Sequence, residues 1–417
     1  DDKVTRWQGD KVTAITPSPL HPVTVSGLLK TLVEKSLLRY EVAPDGTPRY
    51  SMLEMIHAYA HDKLQSSDQL ERARHAHAEH YLRLALAARA HLVSGGDQAQ
   101  WLNRLETEHN NLRAALAWSI EDRSRAEFAL TLTEALYHFW HVRGYLSEGR
   151  RWLEQALAMS ETPTELRATE LRARVLNCAG RLAQVQGDYA ATRTFHEHAL
   201  AIQELIDDEA GMCRSLENLA ILAGSQGDYA RAGEMFEQSL IVRRKIGDRA
   251  ALMPALNNLA IVNRRLGQDA RAEELYRESA DIARATDAAK PLSHALHGLA
   301  EVRMMQDDYA AALPLFRESL SIRHRLGDRP EIVNTLGALA MAYFYLNEPI
   351  TAARLIAASE RLRAELGMAI QPSNRKEIDD NVAEVREKAD KEFDAAWVTG
   401  QAMSVDEAVT VALGTTS

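Results

Sequence analysis

A spacing of 40 residues constrains this chain more than any other feature. Gly187, Gly227, Gly267, Asp307 and Asn347 recur at that interval, and a second series, Asp207, Gly247, Asp287, Gly327 and Gly367, recurs at the same interval between them. Between these marks, apolar residues return every three or four positions, the spacing of a helix with one buried face. Each unit therefore reads as two helices of roughly 16–18 residues. Self-similarity at such a period marks a stack in which each unit buries its apolar face only against its neighbours.

The repeated segments are QGDYAATRTFHEHAL, QGDYARAGEMFEQSL, LGQDARAEELYRESA and QDDYAAALPLFRESL. Their turns have a physical cause. Gly187 and Gly227 take the left-handed conformation that ends a helix, and Asp188 and Asp228 then accept the free amide protons that start the next. At the last turn Pro349 suits a first helical position. Small residues, Gly180, Ala220, Ala260, Ala300 and Ala340, let the paired helices approach. The second helices supply Ala232, Ala272 and Ala312, with Phe236, Tyr276 and Phe316 as larger knobs.

This pattern resembles the tetratricopeptide repeat in a long form. The resemblance covers five units over 161–368, and ALYHFWHVRGYLSEGRRWLEQAL, with Gly144 at its turn, is similar to a degenerate sixth. It implies an all-α fold, a right-handed α-solenoid, in which the first helices line the concave face. Carried over by register, that face comprises Asn177, Arg181, Asn218, Asn257, Asn258, Arg264, Arg265, His294, His297, Glu301, Met341, Phe344 and Tyr345. Asparagines there either hydrogen-bond a bound peptide, since the amide both donates and accepts, or link neighbouring helices. Arg264 and Arg265 suit a carboxylate or phosphate.

The front of the chain follows another pattern. HPVTVSGLLKTLVEKSLL reads as an amphipathic helix running into a strand. SLLRYEV and PRYSMLE flank PDGT, which predicts a β-hairpin, and MLEMIHAYAHDKL resumes helical spacing. Helix, hairpin and helix outline a small winged-helix domain over 1–66 with an irregular N-terminus. A helical linker with the degenerate repeat follows over 67–160, and a C-terminal helical cap over 369–417. The ordered series LVEKSLLRYE, RYSMLEMIHAYAHDKL, HAEHYLRLA and WLNRLETEHNNLRAALAW, with EFDAAWVTGQAMSVDEAVTVAL at the end, resembles bacterial STAND-type regulators after their nucleotide-binding module. These are multidomain signal-transduction ATPases, LuxR-type and AfsR-like transcriptional regulators among them. The resemblance implies an upstream ATPase domain that holds ATP or ADP. It also places Met52, Leu53 and Glu54 where many relatives have Met-His-Asp, whose histidine senses ADP. Leucine cannot hydrogen-bond a phosphate, and His57 lies one turn further on.

No GxxxxGK[ST] occurs in this chain, so no phosphate-cradling loop is present, no cofactor is expected in it, and no enzymatic activity follows from it. The formal net charge is -10, which opposes a general nucleic-acid surface. In residues 1–65, eight Lys or Arg offset eight Asp or Glu. A DNA-reading wing usually carries a basic excess, so the wing reads as a structural lock rather than a reader. No run of 18 apolar residues predicts a spanning helix, the start lacks the apolar core of a signal peptide, and two cysteines, Cys178 and Cys213, suit a reducing compartment. The expectation is a cytoplasmic protein. His75, His77 and His80 offer two metal ligands on one helix face or simply a solvated face; Trp101, Trp118, Trp140 and Trp152 offer core or an interface.

Together these readings predict the sensor or protein-interaction region of a signal-transduction ATPase regulator. It binds a protein, peptide or small-molecule signal in the superhelix and controls the upstream domain. The alternatives are a stand-alone adaptor that assembles other proteins and, less directly supported, a DNA-binding regulator that uses the wing.

Overall fold

The protein is described here from a computed structural model covering residues 4–8, 11–15, 25–42, 48–94, 97–159, 166–366, 368 and 372–414. The chain divides into two compact units, residues 1–83 and 84–417.

The first unit opens with an antiparallel pair, β1 (Val4–Gln8) and β2 (Lys11–Ile15), in the register Val4↔Ile15. This differs from the irregular start expected above. The signal is local: VTRWQ and KVTAI are rich in β-branched residues and sit either side of Gly9-Asp10, a dipeptide suited to a tight hairpin. Then come α1 (Val25–Glu34), the hairpin β3 (Arg39–Val42) and β4 (Pro48–Ser51), and α2 (Glu54–Gln65). Tyr40 and Tyr50 face each other across the hairpin with ring centroids 5.5 Å apart. The expected PDGT turn lies outside the described residues. Helix α3 (Leu70–Ser94) begins in this unit and ends in the second.

The second unit continues with α4 (Gln98–Thr107), α5 (His109–Ile120), α6 (Ala126–Arg143) and α7 (Leu146–Met159). The repeated pairs follow: α8 (Leu166–Val185) with α9 (Tyr189–Leu205), α10 (Glu209–Ser225) with α11 (Tyr229–Ile246), and α12 (Arg249–Arg265) with α13 (Asp269–Ala285). Next are α14 (Ala289–Met305) with α15 (Tyr309–Leu326) and α16 (Arg329–Tyr345) with α17 (Pro349–Glu365). Helices α18 (Pro372–Ala389), α19 (Phe393–Ala402) and α20 (Val405–Leu413) close the array.

The period-40 marks are where the backbone turns over. Residues 187, 207, 227, 247, 267, 287, 307, 327 and 347 all have positive φ, between 52° and 84°. Glycine takes this conformation freely, and the Asp and Asn members belong to the side chains that tolerate it best. Gly367 lies outside the described residues. At the next position Asp188, Asp208, Asp228, Asp248 and Asp308 each accept a backbone N–H three residues on, at 2.8–3.2 Å. Each cap satisfies a helix-start amide and contributes about 1 kcal/mol.

The packing follows the sequence pattern. Ala220, Ala260, Ala300 and Ala340, and Ala232, Ala272 and Ala312, are fully buried, and Phe236, Tyr276 and Phe316 lie among the largest buried side chains. Burial of Phe236 and Phe316 stabilises the array by about 2–3 kcal/mol each. Gly144, with φ 77°, turns α6 into α7. At the far end Tyr343 donates to the Ala412 carbonyl at 2.8 Å, and α20 starts with a Ser404–Glu407 capping box. Among the described residues no helix is long and apolar enough to cross a membrane.

Candidate functional site

Two cavities of about 430 Å³ open on the second unit, one toward each end of the array. Both are lined largely by first helices of the repeated pairs, and both are within the size range of small-molecule sites.

The first cavity is bounded by α3, α6, α8 and α10 and lined by Arg89, Glu134, Arg174, Asn177, Cys178, Arg181, Arg214, Glu217 and Asn218. Three of the expected groove residues, Asn177, Arg181 and Asn218, meet here. Asn177 is committed inside the wall: it donates to Ser215 Oγ at 2.9 Å, and its Oδ1 lies 2.7 Å from His196 Nδ1. Burial holds the His196 imidazole down at about 4, so it is neutral at pH 7. Glu134 is 7% exposed and sits between Arg89 (2.5 Å) and Arg174 (3.4 Å). Glu217 is held by Arg243, a buried side chain that donates from Nε at 2.5 Å and from Nη2 at 2.9 Å. Cys178 lies on the wall with its thiol pushed up to about 12 by burial. It is therefore no nucleophile at neutral pH.

The second cavity lies between α14, α16, α17 and α18. His297, Glu301 and Met341 of the expected set line it, with Glu331, Asn334, Ala338, Ile356, Glu360, Arg363 and Ile378. Its charged lining is mostly acidic, with three glutamates, Glu301, Glu331 and Glu360, to one arginine, Arg363. Glu301 pairs with Arg264, and Glu331 with Arg323 at 3.2 Å. Burial, then the Arg323 charge, hold His297 well below its ordinary value. The imidazole contributes a neutral wall.

The other expected residues lie outside both linings. Asn257 is buried and donates to the Pro291 carbonyl at 3.5 Å, so it links neighbouring helices. Asn258, half-buried, and Arg265, exposed, line neither cavity. Arg264 is tied to Glu301, and His294 is half-buried with its pKa lowered by burial. Phe344 packs in the core of the last pair with the Lys388 ammonium 4.9 Å above its ring, and Tyr345 stacks on Tyr309. The cap helix α18 thus covers a position that the repeat register alone leaves open.

Sequence reasoning missed Arg174, Arg214 and Asn334, which share one register with His294, three residues before the row Asn177, Glu217, Asn257, His297. Extending the register by one helical turn finds them. Arg89 had no such signal, because α3 is outside the repeat. Cys213 is buried, as expected for a small hydrophobe, and so are Trp118, Trp140 and Trp152; Trp101 is half-buried against His91.

A family model described as tetratricopeptide repeat matches residues 171–245, 211–285 and 292–365, which fall on α8 to α17. These helical pairs are tetratricopeptide repeats. A second model, described as a winged helix-turn-helix domain, matches residues 10–65 in the first unit. The chain therefore joins a winged helix to a tetratricopeptide α-solenoid. Proteins of Mycobacterium bovis and Mycobacterium tuberculosis named as HTH-type transcriptional regulators are 34% identical over 205 residues, covering 48% of this chain and 22% of theirs. Among solved structures, a signal transduction ATPase with numerous domains (STAND) with a tetratricopeptide repeat sensor from Pyrococcus horikoshii superposes at TM-score 0.53 and 12% identity, over 90% of this chain and 57% of that one. Aspartyl phosphate phosphatase F from Bacillus subtilis also gives 0.53, at 15% identity over 81% of this chain and 80% of that one. These likenesses establish shared fold.

Proposed function

We propose that this chain is the sensor region of a signal-transduction ATPase regulator. A protein, peptide or small-molecule signal binds the tetratricopeptide array and biases an upstream nucleotide-binding domain between its ADP and ATP states through the winged helix. The observation that carries the reading is the pairing of a winged helix with an array that holds two polar-lined cavities. The relatives named as transcriptional regulators and the STAND protein with a tetratricopeptide sensor support it. So do the exposed apolar side chains of the first unit, Met52, Leu53, Met55 and Tyr59, the last two 84% and 63% exposed; a partner domain would cover them. The balanced charge of residues 1–65 favours a wing that packs on protein over one that reads DNA. On this reading the chain itself is not an enzyme, works in the cytoplasm, and meets ATP or ADP only through the upstream domain.

Such control is a coupling between two sites, so the signal must bind one nucleotide state better than the other. The test is nucleotide hydrolysis by the full-length protein with and without residues 166–414. We expect the rate to change severalfold on removal. A full-length protein without a nucleotide-binding domain, or an unchanged rate, overturns the proposal.

A further inference from the structure

The sensor reading leaves open what chemistry the array recognises, and the first cavity narrows it. Four guanidinium groups line this cavity, from Arg89, Arg174, Arg181 and Arg214, against two carboxylates. Both carboxylates are already engaged. Glu134 lies between Arg89 and Arg174, and Glu217 is gripped from behind the wall by Arg243. Arg181 donates from Nε to the Tyr137 hydroxyl at 2.9 Å, leaving both terminal nitrogens unspent. Arg214 has only a loose ion pair with Asp208, at 3.7 Å. The cavity is thus electropositive within a chain of net charge -10.

A second observation is independent of charge. The Asn218 side chain lines the same cavity, is 8% exposed in all, and its amide has no hydrogen-bond partner among the described residues. Its amide nitrogen and oxygen are not sealed in the core but open to the cavity. Its neighbour in the cavity, Asn177, has both ends of its amide engaged. Asn218 therefore offers an unused donor and acceptor at the wall of a cavity whose free charges are guanidinium.

We propose that this cavity binds a small organic molecule bearing a compact oxyanion, a carboxylate or a phosphate. Arg181 and Arg214 hold the anion and Asn218 fixes an adjacent polar group. Guanidinium presents parallel N–H donors that match both oxyanions. The cavity volume of about 430 Å³ takes a molecule of metabolite size. The inference gives the sensor reading its ligand class, but binding is measured on this chain alone, so the two fail separately: binding without any effect on nucleotide turnover defeats only the sensor reading.

The test is isothermal titration of the purified chain with succinate, citrate, inorganic phosphate, a sugar phosphate and a glutamate-rich hexapeptide. The expected result is saturable binding of at least one small oxyanion, weakened tenfold or more by Arg181→Ala and by Arg214→Ala. Arg181 is exposed and Arg214 half-exposed on its side chain, so both variants keep the fold, which circular dichroism checks. Arg363→Ala, in the other cavity, leaves binding unchanged. Carboxylate-only and phosphate-only binding each support the proposal and identify the source. No saturable binding of any small oxyanion, binding of the hexapeptide alone, or binding indifferent to Arg181 and Arg214 overturns it.

Discussion

Arg243 and Arg323 occupy the same position in the repeat, two periods of 40 apart, and both are 2% exposed. They solve the same problem differently. Arg243 meets Glu217 through two nitrogens and Asp248 at 3.2 Å. In the register of Glu217, Arg323 meets His297, 3.2 Å from Nη1, takes its charge partner from Glu331 and donates a hydrogen bond to the Thr335 hydroxyl. Burial opposes the charge of both guanidiniums. At Arg243 the Glu217 hydrogen bonds and charge outweigh it and the pKa is raised; at Arg323 burial outweighs Glu331 and Asp328 and the pKa is lowered. One scaffold position thus backs an electropositive cavity with a neutralised glutamate and, two repeats on, backs a second cavity with a neutral histidine. The repeat holds its geometry constant while single substitutions along a register change the chemistry of its surface.

The sharpest test of that comparison is the pair Arg243→Met and Arg323→Met. Removing one partner of a buried ion pair costs about 3–5 kcal/mol when the other charge stays buried. Arg243→Met strands Glu217, which is 18% exposed, so a loss of about 3 kcal/mol is expected in urea unfolding. Arg323→Met leaves Glu331, at 34% exposed, able to reach water, and a neutral His297, so about 1–2 kcal/mol is expected. Equal losses would break the comparison.

Gly400→Ala separates the two ends of the array. A Cβ there would meet the Arg354 carbonyl oxygen at 2.2 Å, and backbone cannot swing aside. Overpacking of this kind costs about 1–3 kcal/mol. The cap should loosen from α17, and hydrogen exchange should rise in α17 to α20 while α8 and α9 keep their protection. Uniform protection loss along the array would show that the two ends are one cooperative unit.

A further effect depends on pH and lies in the wall of the first cavity, at His196. The folded value of His196, about 4, is below its ordinary 6.5, so the unfolded chain binds more protons between those values. Stability is therefore fully present above pH 6.5 and declines as pH falls toward 4, by at most about 3 kcal/mol from this group. His196→Gln should flatten the melting temperature across that window. An unchanged slope would assign the acid sensitivity to the other histidines whose pKa is lowered, His297 and His294.

Much of the fold was legible because its signals are local. A positive φ at Gly187 or Asn347 depends on a few neighbouring residues, and so does the cap at Asp188; a 40-residue period repeats the signal until chance is excluded. The pairing of β1 with β2 was equally local, and it was missed by reading a polar N-terminus as irregular. The candidate site was less legible. Asn177, Arg181 and Asn218 follow from register, as do His297, Glu301 and Met341. Their neighbours do not. Arg89 and Glu134 are 45 residues apart in sequence and belong to different helices. Phe344 is indistinguishable from a groove residue until Lys388 and α18 lie over it.

The sequence by itself determined that this chain stacks helical hairpins at a period of 40, where each hairpin turns, and which small and aromatic residues lie between the helices. Those are consequences of backbone conformation and side-chain size, both properties of short segments. Only the tertiary structure decided which polar residues of the first helices face a cavity, which carboxylates are already neutralised, and which amide is left unpaired. Charge and hydrogen bonding depend on every group within a few ångströms, and those groups come from helices far apart in the chain.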